Sequence, residues 1–167
     1  MVLLVQYTLI FASVLALVAL GGCFSEHSGV INIGLEGIMV MGALGGALAM
    51  KFLPATTPGI VLFILIVLAS VLVGMAFSLL LGFAAIHFNA DQTLVGTALN
   101  LMGTAAAVVI VRAINVAENP DNVSSTVVYR QAKQVFLVKI GDFEFNWFML
   151  IIVLAIIASH IVLYRTK

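Results

Sequence analysis

Residues 59–86 read GIVLFILIVLASVLVGMAFSLLLGFAAI, without one charged side chain. A bilayer core about 30 Å thick takes roughly 20 apolar residues as helix, and this run exceeds that. It lacks the alternation of apolar and polar residues that a membrane-barrel strand needs. The segment therefore reads as a transmembrane helix, and its neighbours read the same way. Upstream lie 2–23, polar only at Gln6, Tyr7, Thr8 and Ser13, and 30–53, which is Gly- and Met-rich and carries Asn32 and Glu36. Downstream lie 93–111, with Asn100 near its middle, and 145–164, which has Trp147 and Tyr164 near its two ends where interfacial aromatics belong.

The whole chain bears this out. Of 167 residues, 63% are hydrophobic and 8% charged, where a soluble domain carries about 25% charged residues. A globular core of this size cannot hide so much apolar surface. The expected fold is an all-α integral membrane protein with about five transmembrane helices, the second Gly-rich and broken, forming a single transmembrane domain over 1–167. A water-soluble enzyme is excluded. The formal net charge is zero, which gives no footing to a nucleic-acid partner. The lone Cys23 excludes an internal disulfide and a Cys-rich metal site.

The connections are short except one. Residues 24–29 (FSEHSG) and 54–58 (PATTP) read as turns, the prolines of the second stopping one helix and starting the next. In 88–92 (FNADQ), Asp91 is placed to cap the helix that follows. The stretch 112–146 holds eight of the fourteen formal charges and reads as a polar loop outside the hydrocarbon. Within it, 135–140 and 143–145 around Gly141-Asp142 suggest a hairpin. The acceptor pattern Asn122-Val123-Ser124 is too short to carry weight. Leu20-Gly21-Gly22-Cys23 resembles a lipoprotein cleavage box, yet no Lys or Arg precedes the apolar run, so an intact first span is the better reading. Arg165 and Lys167 beside the last span favour a cytoplasmic C-terminus, although Lys51, Arg112, Arg130, Lys133 and Lys139 then fall outside.

The second span carries the chemistry. Asn32 and Glu36 stand four residues apart, the spacing of one helix face, among glycines at 34, 37, 42, 45 and 46. An intramembrane carboxylate is costly and normally faces protein or water. Glycines there admit a close backbone or let the helix break beside a cavity. The competing reading places Glu36 near the membrane surface as an architectural group, and Gly42 and Gly46 as a packing notch. Thr97, Asn100 and Thr104 make a polar stripe on the fourth helix, more suited to bridging helices than to binding solute. His27, His87 and His160 have no metal-ligand spacing. There is no phosphate-binding glycine loop and no nucleophile–base pair, so no catalytic residues and no metal ligands are assigned.

The run from Phe24 to Met39, FSEHSGVINIGLEGIM, resembles the signature F-S-E-R-S-G-V-x-N-I-G-L-E-G-M-M of the permease subunits of ABC-type importers for simple sugars and nucleosides. Ribose-type and branched-chain amino-acid permeases carry looser versions. A second family pattern, A-D-Q-x-x-x-G-x-A-L-N-L, matches Ala90-Asp91-Gln92, Gly96 and Ala98-Leu99-Asn100-Leu101 in the same order. His27 departs from the usual Arg. Family permeases also continue beyond a span like 145–164 with a basic stretch and a cytoplasmic helix that docks on the ATP-binding subunit, so the chain is expected to be the N-terminal portion of such a protein. The missing basic stretch would also restore the charge count for a cytoplasmic C-terminus.

The resemblance implies a multi-pass subunit in a bacterial cell membrane that forms the substrate path and binds no cofactor itself, ATP and Mg belonging to a partner. The implied partners are ATP-binding subunits, a second permease subunit and an extracytoplasmic substrate-binding lipoprotein. It implies that Asn32, Gly34, Glu36, Gly37 and Asn100 belong to the path or its scaffold. Glu26, Asp91 and Gln92 would sit on the cytoplasmic side at helix entrances. Two other readings remain beside it: a small ion- or proton-conducting subunit using Glu36, and a non-transporting half-permease scaffold.

Overall fold

The structure is a computed structural model and describes residues 2–54, 56–128, 137–140 and 143–165. Its helices are α1 (Val2–His27), α2 (Leu35–Phe52), α3 (Gly59–His87), α4 (Gln92–Glu118) and α5 (Trp147–Arg165), with strands β1 (Leu137–Ile140) and β2 (Phe143–Asn146) before α5. Among the described residues, four helices are long and apolar enough to cross a membrane, and α5 adds a shorter apolar stretch, Ile152–Val162. The chain is a helical, multi-pass membrane protein.

The residues form two compact units, Met1–Gly29 with Phe136–Lys167, and Val30–Val135. In the first, α1 packs with α5. The buried hydroxyls there are satisfied on their own helices: Ser13 Oγ donates to the Leu9 carbonyl at 2.6 Å and Ser159 Oγ to that of Ile156 at 2.8 Å. The strands pair antiparallel with Ile140 opposite Phe143, as the sequence predicts; the turn at 141–142 lies outside the described residues. So do Arg130, Lys133 and Lys167, and the side chains of Trp147 and Tyr164.

In the second unit, α3 runs antiparallel to α2, and α4 runs parallel to it. Glycines set both contacts. A Cβ on Gly45 would meet the Ala69 carbonyl at 2.9 Å, and one on Gly46 would strike Ser70 Oγ. Of the expected notch, Gly46 is tight against α3, Gly42 is looser, a Cβ there falling 3.3 Å from the Ser70 carbonyl, and Gly45 is the second close contact. Phe77 and Leu81 of α3 close with Leu99 of α4 over the half-buried Val30, Ile38, Met41 and Val95. The outer face of α3 leaves Ile60, Leu72 and Leu79 more than half exposed, which suits hydrocarbon as solvent.

Four expectations need correction. First, α1 runs through to His27, so Phe24 and Glu26 lie in its last turns rather than in a loop. No proline or glycine interrupts 24–27, and the left-handed backbone comes only at Gly29, with φ +85°. Second, the second span is irregular from Val30 to Gly34 and helical only from Leu35, so its break lies at its beginning rather than within it. Third, Asn32 is therefore off the helix and does not share a face with Glu36. Fourth, α4 continues past Val111 to Glu118, because Arg112 and Asn115 find partners that let the helix outrun its apolar run.

Candidate functional site

The site is the approach to α2, residues 30–37, laid against the first three turns of α4. Asp91 starts α4: its Oδ1 accepts from the Thr93 and Leu94 N–H groups at 2.8 and 3.1 Å. A capping carboxylate of this kind is worth about 1 kcal/mol. Gln92, the next residue, turns its Oε1 to the Ile31 N–H at 2.7 Å. One turn and two turns further along α4 come Gly96 and Asn100, then Gly103, a single face at the spacing i, i+4, i+7.

That face has almost no side chain, and the irregular segment rests on bare backbone. A Cβ on Gly96 would lie 2.9 Å from the Gly34 nitrogen and 3.1 Å from Ile33 Cβ. One on Gly103 would lie 2.8 Å from both the Cα and the carbonyl oxygen of Gly37. The N-cap position of α2 is Gly34, which has no side chain with which to cap. Asn100 supplies the missing groups from the neighbouring helix. Its Oδ1 accepts from the Gly37 N–H at 2.7 Å and its Nδ2 donates to the Ile33 carbonyl at 2.9 Å.

Ile33 and Gly37 are four apart, so in an unbroken helix those two backbone groups would bond to each other. The Asn100 carboxamide stands inside that bond, a recognised cause of a helix break. Irregular backbone beside a membrane span is tolerated where protein satisfies it, and here Gln92 and Asn100 do so. One group is left over. Asn32 Oδ1 is buried and has no hydrogen-bond partner among the described residues. Glu36 is exposed in the first turn of α2, where a negative charge complements the helix dipole.

The structure therefore brings Asn32, Gly34, Gly37, Asn100 and Gln92 together, with Asp91 holding the helix start beneath them. Glu26 belongs to the other unit. The polar stripe divides: Thr97 and Thr104 are exposed and donate to the carbonyls of Thr93 and Asn100 on their own helix, leaving Asn100 as the bridging member. Among the described residues no cluster of His, Cys, Asp and Glu is arranged to hold a metal ion.

A second polar assembly, at the far ends of α2 and α4, was not legible beforehand. Lys51, its side chain 10% exposed, donates to Glu118 at 2.9 Å and to Asn115 Oδ1 at 3.3 Å. Asn115 is 2% exposed, and its Nδ2 donates to the carbonyls of Ser124 and Thr126, while Arg112 Nε donates to that of Val123. These bonds strap residues 122–127 back against α4. An open groove of about 240 Å³ lies beside the strap, walled by Ala43, Leu44, Ala47, Ala107, Val111 and Ser125. The available signal was an Asn spaced three residues from both Arg112 and Glu118, which does not name Lys51 as a partner.

A family model described as the branched-chain amino acid transport system / permease component matches residues 4–167. The chain is similar to the guanosine ABC transporter permease protein NupQ of Bacillus subtilis, 45% identical over 116 residues, which is 67% of this chain and 35% of that protein. It is 36% identical to the nucleoside ABC transporter permease protein NupC of Lactococcus lactis over 66% of this chain and 34% of that one. It is 37% identical to the putative glucose ABC transporter permease protein TsgC13 of Haloferax volcanii over 60% of this chain and 29% of that one. The matched region thus spans about a third of the length of these relatives. No solved structure matches.

Proposed function

The chain belongs to the branched-chain amino acid transport system / permease component family, and on that premise we propose that it forms the membrane path, or the N-terminal part of it, in a binding-protein-dependent ABC importer for nucleosides. The observation that carries this reading is the approach to α2: a non-helical segment at the entrance to the second span, seated on the glycines of α4 and held by carboxamides. Irregular backbone joined to a spanning helix supplies binding and gating elements in transporters. Asn32, Gly34, Glu36, Gly37 and Asn100 are its residues. The nucleoside assignment is favoured over a sugar because the relatives at 45% and 36% identity are a guanosine and a nucleoside permease, whereas the glucose relative aligns over a smaller share of the chain.

In this reading ATP hydrolysis belongs to separate ATP-binding subunits, a second permease subunit completes the path, and an external lipoprotein delivers the solute. A neutral, hydroxyl-rich solute is matched by amides and exposed backbone rather than by fixed charge, which fits a site whose cross-chain bonds come from Gln92 and Asn100. Deleting the coding region in the source organism is expected to abolish uptake of labelled guanosine or adenosine while labelled glucose and leucine uptake persist. Loss of glucose or leucine uptake instead, with nucleoside uptake intact, refutes the substrate assignment.

We further place the C-terminus in the cytoplasm, which sets the strap at 122–127 outside and the Asp91 end of α4 inside. With Cys23 replaced by Ala, a Ser125→Cys chain should react with a membrane-impermeant maleimide added to intact cells. Reaction confined to inverted vesicles reverses the topology.

A further inference from the structure

The Asn100 carboxamide occupies the place of a single helical hydrogen bond, and that geometry gives the Ile33 carbonyl and the Gly37 N–H two arrangements in which both are satisfied. In the arrangement seen, Oδ1 and Nδ2 of Asn100 take the Gly37 N–H and the Ile33 carbonyl. If the carboxamide withdraws, those two groups lie at the i and i+4 positions of a chain already helical from Leu35, and they can close on each other. Gly34, the hinge between them, has φ −76° and ψ 11°, already close to helical backbone. Gly34 and Gly37 meet Gly96 and Gly103 backbone to backbone, so the neighbouring side chain that must move there is that of Ile33, whose Cβ lies beside Gly96. The arrangement seen also leaves Asn32 Oδ1 buried without a partner among the described residues, a cost that moving residues 30–34 would relieve.

We propose that Asn100 is a positioning residue that works as a removable wedge: it holds residues 30–34 unwound in one transport state, and it withdraws in the opposing state so that α2 gains a turn at its N-terminus. The wedge exchanges two side-chain bonds for one backbone bond and a freed carboxamide, so the two states differ by only a few hydrogen bonds, a gap that differential binding of a partner or ligand can shift. The bond from the Ile31 N–H to Gln92 Oε1 is the third released. The inference rests on the permease reading, because only a transport cycle supplies the two states.

Residues 33 and 34 already form a turn, so only 31 and 32 can shorten from about 3.3 Å per residue to about 1.5 Å when helical, and residue 31 should draw at most about 4 Å toward the far end of the bundle. The test is the full transporter, with Cys23→Ala and spin labels introduced by Ile31→Cys and Val109→Cys, both exposed positions. Distances are measured without nucleotide and with a trapped ATP analogue. The wild type should show a longer and a shorter distance, differing by about 3–4 Å, with nucleotide changing their populations. Asn100→Leu should show the shorter distance in both conditions, and Asn100→Gln, which keeps the carboxamide, should restore part of the longer one.

A single unchanged distance in the wild type under both conditions overturns the wedge, with no need of an Asn100 variant. So does an Asn100→Leu chain that keeps the wild-type pair of distances. Neither result touches the nucleoside assignment, which stands or falls on uptake alone.

Discussion

Replacing Gly37 with alanine is expected to lower stability by about 2 kcal/mol, roughly thirtyfold in the ratio of folded to unfolded protein. Taken as part of an isolated helix, α2 should gain from the change, since alanine is the better helix former by about 1 kcal/mol. Contact with α4 decides the sign. The new Cβ would stand 2.9 Å from Asn100 Cα and closer still to the Leu99 carbonyl oxygen, and backbone cannot rotate out of the way. Overpacking of this kind costs about 1–3 kcal/mol, and separating the helices also weakens the Gly37–Asn100 bond, worth about 1 kcal/mol. Gly82 is the internal comparison: a Cβ there meets nothing within 4 Å, so Gly82→Ala should match or exceed the wild-type melting temperature. Thermal unfolding of the three proteins in one detergent checks the prediction. Coincident curves for Gly37→Ala and wild type would show that α2 and α4 are not in backbone contact.

Asn115→Leu is expected to cost about 3 kcal/mol and to free the strap. The side chain is 2% exposed and makes three bonds, to Lys51 Nζ and to the Ser124 and Thr126 carbonyls, each worth about 1 kcal/mol net. Leucine fills similar space but leaves those groups without it. Lys51 then keeps only Glu118 among the described residues, and Glu118 is 58% exposed, a poor compensation for a nearly buried ammonium. The measurement is limited proteolysis at 119–128 alongside thermal unfolding. Cleavage should be at least tenfold faster in the variant, and unchanged cleavage would assign the strap's order to contacts other than Asn115.

Much of the candidate site was legible in part. Asp91 reads as a cap because a cap is a local device, satisfied by N–H groups two and three residues away. Gly96, Asn100 and Gly103 are visibly one face of a helix, but spacing does not say what lies on it. The pairing of Asn32 with Glu36 failed because it assumed a helix begins where the apolar run begins. The helix in fact waits for Leu35, and the cause is Asn100, more than sixty residues away in the chain. Thr97 and Thr104 read as partners of Asn100 by position, yet their hydroxyls are satisfied by carbonyls of their own helix and need nothing across it.

Hydropathy and period settled, from the sequence by itself, that this chain crosses a membrane as helices and roughly where each begins. These are properties of a segment and its solvent, summed over twenty or so residues, and they survive any arrangement of the rest. Tertiary structure alone decided that a carboxamide of α4 stands in for a hydrogen bond of α2, and that Lys51 meets Asn115 and Glu118. A single polar contact depends on which backbone passes within 3 Å of which side chain, and that is set by the packing of whole helices rather than by any local pattern.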